Sequence, residues 1–558
     1  MPTYRTSYLV DYVLDRTLGA YRAIENEDPM AIPAIRRPDR AEFGDYSTNL
    51  AMVAANQKGT NPRALADKLV SALADDLSDD GIEKIEAAGP GFINLFLAPN
   101  RVQAALASIL NDGEDYGRHV PDERHRLQVE FVSSNPTGPL TVGHGRQAVL
   151  GDVLARLFEA IGFDVHREYY FNDEGRQIDL LAESLWVRYR ELLGDSHEIP
   201  EDGYQGDYLQ DVAADVRADI GDGWPAFDGD AKERFRQEAV TRMTEWIKLD
   251  LAELGVAFDT WFSEATLHRS GEVEAALAAL REKDGTFVEE GAEWLCAEDH
   301  GGAKDSVLIR SDGRPTYLMV DIAYHINKAA RGFDRVLNVQ GADHHAELTC
   351  VKAALRILGY PEAFLDYAIH QFVSLKEKGE TLKMSTRAGR FVTLRELVAD
   401  LGGDVVRWFM ISRKPEAHLD FDLDLARSES QDNPATYVQY AHTRILSIFR
   451  KAADEGLDQA DWSTVDLSPL VEADELSLIK QLDEFPEVVK AAATTFAPHL
   501  LAEYALQLSR AFHAYYDHFR VLGEEAALST ARLALLRAIQ QILRSCLDIL
   551  GMSVPETM

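Results

Sequence analysis

Two glycines bracket a histidine at Gly143-His144-Gly145. Where a glycine-bearing turn opens a helix, the first backbone N–H groups have no internal partner, and a missing side chain lets a phosphate come close. His144 can donate to a phosphate oxygen at such a place, whether neutral or cationic near pH 7. Far downstream, Lys383-Met384-Ser385-Thr386-Arg387 sets two cations and two hydroxyls on a glycine-flanked loop. Fixed positive charge on a mobile loop suits leaving-group stabilisation in phosphoryl or nucleotidyl transfer. No G-x-x-x-x-G-K-[ST] occurs, which excludes a P-loop enzyme.

These residues need a scaffold, and the neighbouring text supplies one. Leu127 to Val132 alternates as a strand, and a polar Ser-Asn-Pro-Thr-Gly-Pro turn follows. Leu150, Val153, Leu154, Leu157 and Ile161 then recur at helical spacing, with Gly162 as a stop signal. Asp164 to Phe171 reads as the next strand and completes a βαβ unit. Strand-like runs resume at 306–310 and 335–339, the second leading into Gly341-Ala342-Asp343-His344. The expectation is a Rossmann-type parallel-sheet domain at 125–370, interrupted by an insertion at about 185–300. Residues 1–115 read as an N-terminal α+β domain, 371–430 as a connecting segment, and 431–558 as an all-helical C-terminal domain. The fold class is therefore multidomain α/β.

Gly143 to Ala148 also fits G-x-G-x-x-A, the dinucleotide fingerprint, with Asp164 or Glu168 at a suitable distance. An NAD-dependent oxidoreductase is thus a rival reading. It is weakened by Ser133 to Val142, which separate strand from glycine as a lip with side-chain donors. A third reading is purely structural: the glycines permit tight strand–helix packing.

With 558 residues, several domains are expected. No apolar run approaches the ~20 residues needed to cross a membrane, and no signal peptide is legible, so a cytoplasmic location is expected. Three separated cysteines, Cys296, Cys350 and Cys546, exclude a disulfide framework or a cysteine zinc site. Charge is the unusual quantity: 93 acidic against 57 basic residues, net −36. Sixteen of those basic residues are lysine and the other 41 arginine. Acid dispersed along the whole chain implies a surface kept soluble at high salt, hence a halophilic source, with an acidic protein of ordinary salt as the alternative.

Thr-Val-Gly-His144 resembles the HIGH signature of class I aminoacyl-tRNA synthetases, and Lys383 to Arg387 resembles their KMSKS loop. EFVSSNPTGPLTVGHGRQAVLGDVLARL, YYFNDEGRQI, YLMVDIAYH, GADHH and NPATYVQYAHTRI are similar to arginyl-tRNA synthetases in particular. GDYSTNLAM and GPGFINLFL resemble the N-terminal domain of that family, and the helical tail its anticodon-binding domain. Two departures stand out: Thr141 replaces the first HIGH histidine, and Thr386 the second KMSKS lysine, with Arg387 beside it.

The resemblance implies ATP-dependent attachment of L-arginine to tRNA(Arg) through arginyl-adenylate, by a monomer using ATP with Mg2+ and no resident metal. A catalytically inactive tRNA-binding paralogue is the alternative. It implies His144, Lys383, Ser385 and Arg387 as catalytic residues. ATP would meet Thr141, Gly143, His144, Gly145, Gly341, Asp343, His344, Lys383 and Met384. Arginine would be held by Glu130, Ser133, Asn135, Tyr317 and Asp321, because a guanidinium is read by paired N–H···O bonds. Glu130 is singled out because a charge in a core strand is unusual without a partner. Phe92, Asn94, Tyr437, Gln439 and Tyr440 are candidates for stacking or hydrogen bonding to tRNA, with core packing as their bland alternative.

Overall fold

The centre of the chain is a five-stranded parallel sheet with a helix buried against it. The computed structural model describes all residues except 1–6, 39, 75–80, 122–123, 343–344 and 383–391, and only the backbone of 41, 345 and 346. Four strands come first: β1 (Ile35–Arg36), β2 (Tyr46–Thr48), β3 (Ile82–Ala88) and β4 (Phe92–Leu97). They form an antiparallel sheet in the order β1-β2-β4-β3. The FINLFL part of the GPGFINLFL run is the strand β4.

The parallel sheet begins with β5 (Arg126–Glu130), β6 (Asp164–Phe171) and β7 (Thr260–Ser263). The chain then leaves it for β8 (Thr286–Glu289), β9 (Ala292–Leu295) and β10 (Ser306–Ile309), a separate antiparallel sheet. It returns with β11 (Arg335–Gly341) and β12 (Leu365–His370), giving the order β12-β11-β5-β6-β7. Two expectations are corrected here. The run at 306–310 does not join the parallel sheet, and the segment expected as one insertion at about 185–300 re-enters that sheet at β7. Short apolar runs do not disclose which sheet they join, because pairing is decided by distant partners.

β6 and β11 flank β5 on opposite sides, so the strand order reverses at β5 and opens a crevice beyond the C-terminal ends of β5 and β11. The helix Val142–Ala160 fills the space behind that crevice and is buried nearly all round, as a central helix must be. Gly151 lies where this helix crosses Phe131, and a Cβ there would run into the phenyl ring. Arg407 fastens the helix from behind. Its guanidinium donates to Asp152, to Leu254 O (3.1 Å) and to Leu550 O (2.8 Å). Burial alone would raise the Asp152 carboxyl, but Arg407 and Arg156 hold it below its ordinary value.

Beyond the sheet, β13 (Val373–Glu377) pairs antiparallel with β14 (Glu380–Thr381) and parallel with β15 (Leu419–Asp422). Five helices finish the chain: Pro434–Asp454, Ala473–Asp483, Phe485–Thr494, His499–His518 and Ala526–Ile549. Asp483, at the end of the second of these, reaches the start of the first helix in the chain, Tyr8–Glu25. It accepts from Ser7 Oγ, Tyr8 N (2.9 Å), Leu9 N (3.0 Å) and Tyr116 Oη (3.1 Å). Among the described residues no helix is long and apolar enough to cross a membrane.

Candidate active site

A pocket of about 620 Å3 opens at the β5–β11 crevice. Glu130 and Val132 from the end of β5, Val339 to Gly341 from the end of β11, and His370 from the end of β12 form one side. Thr141, Gly143, His144 and Gln147 from the start of the buried helix form the other, with Asp321 at the far wall. Ser133 and Ser134 of the lip border it as well.

The helix start is built by a reciprocal cap. The Thr141 hydroxyl accepts from the His144 backbone N–H, while His144 Nδ1 accepts from the Thr141 backbone N–H at 3.1 Å. With Nδ1 an acceptor, the proton of the neutral ring sits on Nε2. Burial, with His370 nearby, lowers His144 to about 4, so by itself the ring is a neutral donor at pH 7. The Thr141 hydroxyl only accepts in this cap and keeps its own proton to donate, and Thr141 borders the pocket.

The two glycines have different environments. A Cβ on Gly143 would meet only Thr141 Oγ1 at 3.7 Å, and the residue borders the pocket. A Cβ on Gly145 would lie 2.7 Å from Leu394 Cδ1, and Gly145 is buried away from the pocket wall. Gly145 therefore serves helix packing, which corrects its expected place in a phosphate cradle. Gly341 borders the pocket with open space around it. Asp343, His344, Lys383, Met384, Ser385 and Arg387 lie outside the described residues.

Glu130 and Asp321 border the pocket, and a third carboxylate, Glu264, stands near them outside its lining. Glu130 Oε2 is 2.6 Å from Lys328 Nζ, so this core-strand carboxylate does have a partner. Asp321 lies beside His325, whose Nδ1 is 3.2 Å from the carboxylate. Beyond Tyr170 stands Glu264, which accepts from Tyr170 Oη and Asn172 Nδ2, both at 2.6 Å. Burial raises the Glu264 carboxyl, and Asp173 and Asp321 add to that. Burial likewise raises the Tyr170 phenol, with Glu264, Asp321 and Glu130 adding to it. Clustered carboxylates, of which Glu130 is buried and Asp321 and Glu264 are partly exposed, attract a cation with several N–H donors. Glu264 was missed because one more glutamate in an acidic chain carries no signal until Tyr170 and Asn172 are seen to bind it.

Ser133 sits at a positive φ of 42°, and its Oγ accepts from Tyr170 N at 3.2 Å. Asn135 bridges Asn172 N (3.1 Å) and Gln177 Oε1 (3.0 Å), fixing the lip to the end of β6. Tyr317 is 74% exposed at the start of the helix Tyr317–Ala330 and does not border the pocket. His370, which sequence reasoning missed, ends its strand against the pocket, and burial lowers it too.

The expected tRNA contacts divide. Phe92 is 39% exposed at the start of β4, whereas Asn94 is 2% exposed in the middle of the sheet, which corrects its expected contact with RNA. Tyr437 and Tyr440 lie half-buried around His513, at ring distances of 5.0 and 5.6 Å. Gln439 is also withdrawn, since its amide donates to Asp404 Oδ2 (2.8 Å) and Ser553 O (3.1 Å) and so pins the C-terminal segment.

Comparison with known proteins places these features in a family. Residues 105–404 match the family model "tRNA synthetases class I (R), catalytic domain", residues 15–97 match "Arginyl tRNA synthetase N terminal domain", and residues 438–558 match "DALR anticodon binding domain". The chain is 42% identical to an arginine–tRNA ligase of Legionella pneumophila (strain Paris), covering 99% of each chain. It is 44% identical to an arginine–tRNA ligase of Thermotoga petrophila, covering 94% of this chain and 95% of the other. The structure of Thermus thermophilus arginyl-tRNA synthetase superposes with a TM-score of 0.76 at 25% identity, covering 98% of this chain and all of the other.

Proposed function

Because the chain belongs to the arginyl-tRNA synthetase family, we propose that the β5–β11 pocket holds ATP and L-arginine side by side. The enzyme charges tRNA with arginine. The observation that supports this site is one cavity bordered both by the capped helix start, with neutral His144, and by Asp321.

In this reading the arginine carboxylate attacks the α-phosphorus of ATP in line. A bond forms from carboxylate oxygen to phosphorus, the bond to the bridging oxygen breaks, and pyrophosphate leaves. The helix N–H groups, Gly143 and His144 Nε2–H meet the phosphate oxygens, and Gly341 lets the nucleotide lie close. Lys383 and Arg387 supply the positive charge that a neutral His144 does not, with Met384 and Ser385 on the same loop. Mg2+ travels on the ATP phosphates, which give this hard cation its oxygen ligands. Asp321 and Glu264 hold the guanidinium, and a ribose hydroxyl at the 3′ end of tRNA then attacks the arginyl carbonyl, breaking its bond to the phosphate so that AMP leaves.

The N-terminal domain, 1–115, and the helical domain, 431–558, contact the tRNA, with Phe92, Tyr437 and Tyr440 as surface aromatics. The enzyme acts as a cytoplasmic monomer at high salt, where its net charge of −36 costs little and stacking outweighs counterion release.

ATP–pyrophosphate exchange with each amino acid in turn, with and without tRNA, across a potassium chloride series tests the reading. Arginine-dependent exchange is expected. Retention of tRNA without exchange at any salt would instead mark an inactive paralogue, and nicotinamide binding an oxidoreductase.

A further inference from the structure

Beneath the pocket wall, a chain of buried side chains joins Glu130 to Asp321. Asp321, His325 and Lys328 lie on the helix Tyr317–Ala330 at spacings that put all three on one face. That face meets β5 and β11, where Glu130 and Asn338 stand opposite each other in register. Lys328 is fully buried, and its Nζ donates to Glu130 Oε2 (2.6 Å) and Asn338 Oδ1 (3.0 Å) over the Tyr324 ring. Asn338 Nδ2 lies 3.0 Å from His325 Nε2, and His325 Nδ1 lies 2.8 Å from Asp321 O and 3.2 Å from its carboxylate.

The chemistry of the groups fixes the direction of every link. An ammonium can only donate, so Asn338 must turn its oxygen to Lys328 and its NH2 to His325. His325 Nε2 must then accept, which leaves the ring proton on Nδ1. That N–H points between the backbone oxygen and the carboxylate of Asp321. Reversing a link among Lys328, Asn338 and His325 would set two donors or two acceptors face to face among side chains that are all shut from water, an arrangement that buried polar groups avoid.

We propose that Lys328 is a positioning residue for arginine recognition, acting through Asn338 and His325 to hold the Asp321 carboxylate in the orientation that reads a guanidinium. Glu130 is the counter-charge that keeps the ammonium in place, rather than a ligand of the substrate. This rests on the assignment of Asp321 to the arginine pocket made above.

Full-length variants assayed by aminoacylation separate the two statements. Asn338→Asp is nearly isosteric, but it offers oxygen to both neighbours and so forces His325 to donate from Nε2. Loss of one charge-assisted contact predicts a rise of about tenfold or more in KM for L-arginine, with kcat and KM for ATP little changed. Lys328→Gln should do the same if it folds. His325→Asn keeps an N–H near the Nδ1 position and should preserve KM better than His325→Gln. Thermal midpoints of all variants are recorded alongside.

An unchanged KM for arginine in Asn338→Asp and His325→Gln, while Asp321→Asn raises it, overturns the proposal and leaves the pocket assignment standing. A fall in kcat and thermal midpoint together with a rise in KM for both arginine and ATP also overturns it, since that is what loss of packing alone would give. If Asp321→Asn itself leaves KM for arginine unchanged, the pocket assignment falls and the proposal with it.

Discussion

Arg407 closes on Asp152 in a pocket of its own, both side chains shut away from solvent although 255 positions apart in sequence. The pair holds the buried helix from behind while its N-terminus faces the nucleotide site. Removing Arg407 takes one of the arginine partners of Asp152 and strips Leu254 O and Leu550 O of this donor, while Arg156 stays 2.8 Å from the carboxylate, so Arg407→Met should cost about 2–3 kcal/mol of stability. Arg407→Lys should rescue poorly, because a lysine cannot reach Asp152, Leu254 O and Leu550 O together. Denaturant titration of the three proteins checks this, and a neutral Arg407→Met would show that the helix needs no such fastening.

The glycines beside His144 should respond to substitution in opposite ways. At Gly145 a methyl group must displace Leu394, so Gly145→Ala should lose about 1–3 kcal/mol of stability. At Gly143 the added methyl meets open space, so stability should hold while KM for ATP rises. Melting curves and ATP titrations of the two variants are the measurement, and equal stability losses would count against the distinction.

Acid should weaken the fold through its histidines. His144 and His513 sit near 4 in the folded chain against an ordinary 6.5, burial being the first cause in each. The unfolded chain therefore takes up these protons first. Their contribution to stability is whole above pH 6.5 and drains away as pH falls toward 4. Asp483 has the opposite sign: burial raises it from 3.8 to about 6, so the folded chain takes up that proton first and gains stability across that interval as pH falls. Unfolding midpoints followed from pH 7 to 4.5 should fall less steeply in His513→Phe and more steeply in Asp483→Asn.

Replacement of the wall carboxylates should separate substrate ligands from their supports. Asp321→Asn and Glu264→Gln should each raise KM for arginine about tenfold or more, leaving KM for ATP unchanged. Glu130→Gln should lower thermal stability as well, because it strands the buried Lys328 ammonium. If Glu130→Gln raised KM for arginine with no loss of stability, Glu130 would be a direct ligand.

Salt should stabilise the chain. With a net charge of −36, raising potassium chloride from 0.1 M to about 2 M should lift the thermal midpoint by about 10 °C or more. A flat or falling midpoint would mean that the acidic surface has another purpose.

Much of the site's frame was legible in the sequence because local rules decide it. β6 spans Asp164–Phe171 where the next strand was expected, and Leu150, Val153, Leu154 and Leu157 lie on one helix as their spacing implies. What escaped is what distant partners decide. Lys328, near the end of a helix, reads as an ordinary solvent-facing cation, and only Glu130, 198 residues earlier, draws it inside. β7 and β10 are both four-residue runs, yet one completes the parallel sheet and the other does not. Asn94 and Gln439 offered amides suited to a base, but Asn94 is buried in the sheet and the C-terminal segment engages Gln439.

The carboxylate of Asp483 at the start of the first helix bears on how the chain is made. A ribosome delivers Ser7 hundreds of residues before Asp483, so the N-terminal helix emerges with Ser7 as its own cap and lacks its second set of acceptors. That end of the molecule can be finished only when the C-terminal helices arrive. A chain truncated before 483 would keep that helix packed on the helix Pro62–Ala74 but would leave Tyr8 N and Leu9 N without this acceptor.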